Sequence, residues 1–195
     1  MLDSKTRELR DDRLEQVAHM LGERFKRAEC GQIKDFVGQF YARVSTEDIC
    51  AAAPENLYGA ALSLWKFAAQ RDAGELKLRV YNPRTEEHGW KSAHTIVEIV
   101  AEDMPFLVDS VTGNLNQWGC QVHLAIHPVI RLRRDDQGAR QELLPPVANG
   151  KPGISEAVLH VQIAEQSDGA ALEKIAADLR GVLADVRVAV ADWPA

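Results

Sequence analysis

Between Ala68 and Leu76 the hydrophobic period of this chain changes from that of a helix to that of a strand. Two parts with different cores follow from that change. Upstream, Leu14, Val17, Leu21 and Phe25 recur at helical spacing, and a second stripe runs through Ile33, Phe36, Val37, Phe40 and Val44. Each stripe is the apolar face of an amphipathic helix. Ser45-Thr46-Glu47-Asp48 carries a capping signal for a short turn ending near Ala53. Pro54 suits the first turn of the next helix, which lines up Leu57, Ala61, Leu64, Trp65 and Ala68 and stops before Gly74. Residues 1–73 are therefore expected to be helical.

Downstream, Leu76, Leu78 and Val80 alternate with Lys77, Arg79 and Tyr81, the period of a half-buried strand. Asn82-Pro83 ends it, and a polar stretch through Gly89 reads as a turn, so 74–93 is a strand and linker. From His94 to Ala101 the chain is almost wholly apolar, as in a central strand. A helix is expected from about Pro105 to Trp118, with Leu107, Val108, Val111 and Leu115 inward and Gly119 as its stop. A long strand follows from Cys120 to Arg133, with a bulge or an edge at Pro128, which donates no hydrogen bond. The polar, Gly- and Pro-containing residues 134–153 predict a long mobile hairpin loop. A strand from Ala157 comes next, then a helix on Leu172, Ile175, Leu179, Val182 and Leu183. A last short strand is expected on Val186, Val188 and Val190. Residues 94–195 thus spell β-α-β-β-α-β. That is the ferredoxin-like arrangement of an antiparallel sheet with two helices on one face, and it sets the class as α+β.

Composition excludes more than it assigns. With 46% hydrophobic and 27% charged residues the chain has ample material for a core. A formal net charge of −6 argues against a nucleic-acid or anionic-membrane footprint. Three widely spaced cysteines, Cys30, Cys50 and Cys120, favour a reducing compartment over a disulfide framework. The charged N-terminus has no secretory pattern and no apolar run reaches membrane-spanning length, so a cytoplasmic location is expected.

No two glycines stand two apart, and Walker, H-E-x-x-H, G-x-S-x-G and C-x-x-C motifs are all missing. We therefore assign no catalytic, cofactor-binding or metal-ligating residue. His123 and His127 share a strand face at about 13 Å, from roughly 3.3 Å per residue, which is too far for one ion. His160, expected on a neighbouring strand, comes within reach of one of them. Hydrogen-bonded, partly buried histidines are the favoured reading over a two-histidine site, because metals demand more ligands. Cys120 reads as a small packed thiol. Arg131, Arg133 and Arg134, followed by Asp135 and Asp136, read as a solvated hairpin shoulder ahead of an anion site. Trp65, Trp90 and Trp118 read as core or interface anchors. The strand-to-helix turn Glu102-Asp103-Met104-Pro105-Phe106 is the candidate effector or interface element, because such a turn presents free backbone amides. Its own carboxylates favour capping of the helix over ligand binding.

The residues from His88-Gly89-Trp90 through His94-Thr95-Ile96-Val97-Glu98-Ile99-Val100 and Asp103-Met104-Pro105-Phe106-Leu107-Val108-Asp109-Ser110-Val111 carry a family resemblance. So do Val122-His123-Leu124 and His127-Pro128. Phe40-Tyr41-Ala42, Leu57-Tyr58-Gly59-Ala60-Ala61 and Tyr81-Asn82-Pro83 extend it, so that it runs from about Ile33 to Val190. Together they resemble the amino-terminal segment of the large bacterial NAD-specific glutamate dehydrogenases. The resemblance implies an ACT-type domain in a long chain that deaminates L-glutamate to 2-oxoglutarate and ammonia with NAD, the catalytic domain lying far downstream. It also implies partners: the remaining domains, other subunits of a homo-oligomer, and an amino-acid effector. Amino-acid-binding ACT domains often have glycine after the proline of the strand-to-helix turn, where this chain has Phe106. The resemblance therefore supports assembly ahead of an effector site. A free-standing ACT-type amino-acid sensor and a purely structural oligomerisation module are the alternatives. The ending "ADWPA" directly after the last expected strand reads as a boundary within a longer chain.

Overall fold

The computed structural model describes residues 4–146 and 152–191. Its contacts divide the chain into two compact units, residues 1–69 with 84–91, and residues 70–83 with 92–195.

The first unit is built by the amphipathic stripes. They form α1 (Ser4–Arg24), α2 (Arg27–Tyr41), α3 (Thr46–Ala51) and α4 (Pro54–Phe67). The Ser45 hydroxyl accepts the Asp48 amide at 3.0 Å, which caps α3 as its sequence signals, and Pro54 occupies the first turn of α4. Val17, Leu21, Ile33, Phe36, Phe40, Ile49, Ala61 and Leu64 are all buried. The Phe36 ring stacks on Phe40 at 5.6 Å and meets Trp65 at 5.3 Å. The Tyr41 hydroxyl donates to the Leu57 carbonyl at 2.8 Å, and its burial raises the phenol well above its ordinary value. Where a polar turn is expected, Thr85–His88 instead forms a single-turn helix, α5, closed by Gly89 at φ 75. Trp90, which follows, is buried against α4: a Cβ placed on Gly59 would sit 2.1 Å from the Trp90 Cβ.

The second unit is one six-stranded antiparallel sheet with helices α6 (Leu107–Gln117) and α7 (Gly169–Ala191). Strands β1 (Lys77–Tyr81), β2 (Thr95–Glu102), β6 (Ile154–Ile163), β4 (Val129–Arg134) and β5 (Arg140–Leu143) lie in that order. β3 (Val122–Ile126) also pairs with β6. Residues Val122–Ile126 lie opposite Ile163–His160, and Val129–Leu132 opposite Ala157–Ile154. β3 and β4 are therefore two halves of one long strand, broken at His127-Pro128 as the missing proline donor requires. A further bulge lies between Val122 and Leu124. Val97, Ile99, Leu159, Val161 and Ile163 share one face of the sheet with Leu107, Val111 and Leu115 of α6 and Ile175, Leu179 and Leu183 of α7. Each such side chain stabilises the fold by about 1.5–3 kcal/mol when fully buried.

The α+β architecture and its two-helix face are as expected, but three local expectations are corrected. Val186, Val188 and Val190 are helical, within α7. The place of a final strand, beside β2, is already taken by β1, whose five residues pair with Tyr81 opposite Ile96 and Lys77 opposite Val100. Residues 134–153 are no uniform loop: Arg134 ends β4, Gly138 turns at φ 80, and β5 pairs back on β4; residues 147–151 lie outside the described residues. Helix α6 starts two residues late, at Leu107. Of the three tryptophans expected as core or interface anchors, Trp65 and Trp90 are buried and Trp118 is 37% exposed.

Gly59→Ala should destabilise the chain despite the gain of about 1 kcal/mol in helix propensity. Trp90 must move away from the new methyl, and overpacking of this kind costs about 1–3 kcal/mol. Urea unfolding would show a lower midpoint; an unchanged or higher midpoint would mean that the indole shifts freely.

Candidate functional site

Two carboxylates stand inside the sheet, Glu98 in β2 and Glu156 in β6. Because side chains alternate along a strand, each faces away from α6 and α7. Both are fully buried, and a buried charge persists only when it is paired and hydrogen-bonded.

Glu156 sits between two arginines. The Arg134 guanidinium donates to it in fork fashion, Nε to Oε1 and Nη2 to Oε2, both at 2.8 Å. The Arg71 Nε donates to the same Oε1 at 2.8 Å. Two further donors bind backbone: Arg134 Nη1 to the Gly138 carbonyl at 2.7 Å, and Arg71 Nη1 to the Glu75 carbonyl at 2.8 Å. The Arg71 amide also donates to the Gly138 carbonyl at 3.0 Å. Gly138 must be glycine here, since a Cβ would lie 2.5 Å from the Arg71 carbonyl oxygen. One carboxylate thus ties together the loop before β1, the β4–β5 hairpin and the start of β6. Burial alone would push the Glu156 carboxyl up, but the Arg134 and Arg71 guanidiniums override it and hold it below the ordinary 4.5. Arg140 lies opposite Arg134 in the ladder. Burial first, then the charge of Arg134, lowers it to about 10.

Glu98 gathers a second cluster. Arg79 Nε donates to Oε2 at 2.7 Å, and its Nη2 closes on the same oxygen. The Tyr81 hydroxyl donates to Oε1 at 3.2 Å, and the Arg79 guanidinium lies over the Tyr81 ring at 4.7 Å. The fully buried His160 places Nδ1 3.3 Å from Oε1, with Gln162 Nε2 3.5 Å from its other ring nitrogen.

The residues singled out from sequence scatter by comparison. His160 joins Glu98, whereas His123 and His127 are exposed. The His123 ring instead meets His94 at 4.6 Å, and partial burial, then the His123 charge, lowers the His94 pKa from its ordinary 6.5. Among the described residues no group of three or more His, Cys, Asp or Glu is placed to hold a metal ion. Cys120 is buried and its thiol is raised by burial, which suits a packed side chain. Of the arginine cluster, Arg133 pairs with Glu142 at 3.3 Å and Arg131 donates to the Pro145 carbonyl at 3.1 Å on the surface. Arg134 is 6% exposed and is no part of a solvated shoulder. Sequence reasoning passed over Glu98 and Glu156: a carboxylate in the middle of an apolar run was the available signal for Glu98, whereas Glu156 lies just before the run that starts at Ala157.

The turn Glu102, Asp103, Met104, Pro105, Phe106 connects β2 to α6. Neither carboxylate caps the helix: Phe106 is the residue before α6, with no side-chain cap bond. Met104 packs toward the core and Leu107 is buried. Phe106 lies at φ 64 and ψ 0 with its side chain 56% exposed. A left-handed conformation costs a residue with a Cβ about 1–2 kcal/mol. The chain therefore holds a strained, outward-facing aromatic where a glycine would be relaxed.

The Glutamate dehydrogenase, ACT1 domain family model matches residues 36–179. An NAD-specific glutamate dehydrogenase of Halomonas elongata is 39% identical over 193 residues, 99% of this chain and 12% of the relative. That of Pseudomonas aeruginosa is 35% identical over 83% of this chain and 10% of its own length. That of Mycobacterium tuberculosis is 29% identical over 66% and 8%. The chain thus spans about one eighth, or less, of the curated relatives it matches.

Two outcomes test the electrostatics. Glu156→Gln leaves two buried guanidiniums without their counter-charge and should cost roughly 3–5 kcal/mol. In the parent chain the same carboxylate adds stability above about its ordinary 4.5, lost as pH falls through its depressed value; urea titrations at stepped pH should show that acid-side loss shrinking in the variant. Separately, the lowered His94 pKa means that stability falls as pH drops below 6.5. His94→Gln should flatten that part of the profile, and a profile identical to the parent's would refute the assignment.

Proposed function

Because the chain belongs to the glutamate dehydrogenase ACT1 domain family, we propose that it is a non-catalytic assembly and regulatory segment of an NAD-specific glutamate dehydrogenase. The parent enzyme would oxidise L-glutamate with NAD and water to 2-oxoglutarate and ammonia in the cytoplasm, the hydride leaving on NADH. The observation that carries this reading is the asymmetry of the match: nearly all of this chain aligns with a small part, near the amino terminus, of a much longer dehydrogenase. NAD belongs elsewhere in that parent. A dinucleotide needs a glycine-rich strand-to-helix turn that lets backbone amides reach the pyrophosphate, and the turn between β2 and α6 offers carboxylates, a proline and Phe106 instead. No helix among the described residues is long and apolar enough to cross a membrane.

Assembly is favoured over amino-acid sensing by Phe106. An exposed aromatic on a left-handed backbone offers apolar surface for a contact between domains or subunits, and it stands where amino-acid-binding ACT domains often have glycine. The partner would be another domain of the same enzyme or a neighbouring subunit of a homo-oligomer.

Phe106→Gly separates the roles. It relieves the left-handed strain, so the segment's own unfolding midpoint should hold or rise. In the full-length enzyme, sedimentation should show subunit association weakened at least tenfold. Calorimetry with glutamate, aspartate, arginine and NAD should give no saturable heat. A heat for one amino acid that the substitution alters would assign the turn to an effector instead.

A further inference from the structure

Helix α7 outruns its own core. Leu179 and Leu183 are buried, and after Leu183 no residue up to Ala191 is. Yet Ala184, Val186, Val188, Ala189, Val190 and Ala191 leave only Asp185 and Arg187 as polar residues in that stretch. At 100° per residue these apolar side chains surround the helix, and a helix apolar on all sides is normally enclosed. Val188 is 63% exposed, more than any other large hydrophobic residue of the described chain. Three β-branched valines in eight residues do not favour the helix for its own sake. Nor do they serve the sheet, since β1 holds the edge of β2.

Two facts identify what covers this segment. The family match ends at residue 179, so the last three turns of α7 lie beyond the shared domain. The relatives extend to about eight times the aligned length, since 193 residues are 12% of the Halomonas elongata chain. We propose that Ala184–Ala191, roughly 12 Å of helix at 1.5 Å per residue, is the docking surface for the polypeptide that directly follows it in the full-length enzyme. Seated there, the valines carry the end of the sheet unit rigidly into the next domain instead of ending in solvent. The proposal rests on the reading of this chain as part of a longer dehydrogenase.

The test is native thiol labelling of the full-length protein in a Cys50→Ser background, with the modified peptide quantified by mass spectrometry. Val188→Cys, and Ala184→Cys one turn earlier on the same side, report the docked face; Glu173→Cys reports an exposed position of the same helix. Maleimide should react at least tenfold more slowly at 188 and 184 than at 173, independent of protein concentration. Equal rates at all three positions overturn the proposal. Slow labelling that becomes fast on dilution also overturns it, and gives the face to a second copy of the chain. The parent reading stands or falls separately, on whether the same full-length protein reduces NAD with glutamate.

Discussion

Strand β6 satisfies its backbone on both sides, against β2 along one edge and against β3 and β4 along the other. Against β2 that pairing holds eight residues, Glu156 to Ile163, in one register. Its two faces do different work: Ala157, Leu159, Val161 and Ile163 enter the helix-covered core, while Glu156 and His160 anchor the two ionic clusters behind it. A slip of one residue would drive both polar groups into the apolar core and set four core residues against the ionic clusters. The buried charges therefore act as register pins. Hydrophobic burial drives the strand into the sheet, and the cost of an unpaired carboxylate determines how it sits there.

The Glu156 cluster has a second consequence. Arg71 lies at the point where the chain enters the sheet unit, immediately after Gln70, which bridges to Ala139. Its guanidinium and its amide are both spent on the sheet, so the path into β1 is set before β1 begins. That in turn lets a five-residue strand hold the edge of β2 in place of a strand that would follow α7. The order β1-β2-β6-β4 keeps the ferredoxin-like sheet but supplies its outer strand from upstream. The final helix is thereby freed to run on beyond the domain.

Strain and exposure coincide on the helix side of the same unit. Phe106 and Val188 are both placed outward at a cost, one in backbone conformation and one in unburied apolar surface.

Period and punctuation were enough to locate most elements. The helical segments up to Phe67, the cap at Ser45, the break at Pro128 and the apolar faces of β2 and α6 were legible because local periodicity and local hydrogen bonding determine them. Val186–Val190 was misread because alternation specifies a strand only where a neighbour offers a free edge, and β1 had taken it. Glu98, Glu156, Arg71 and Arg134 were illegible as a group, because partners up to 85 positions apart meet only when the sheet brings them together. The same limit hid the left-handed Phe106: a local pattern places a helix start within a residue or two, whereas the tertiary fit of Met104 and Leu107 into the core decided which residue would bear the strain.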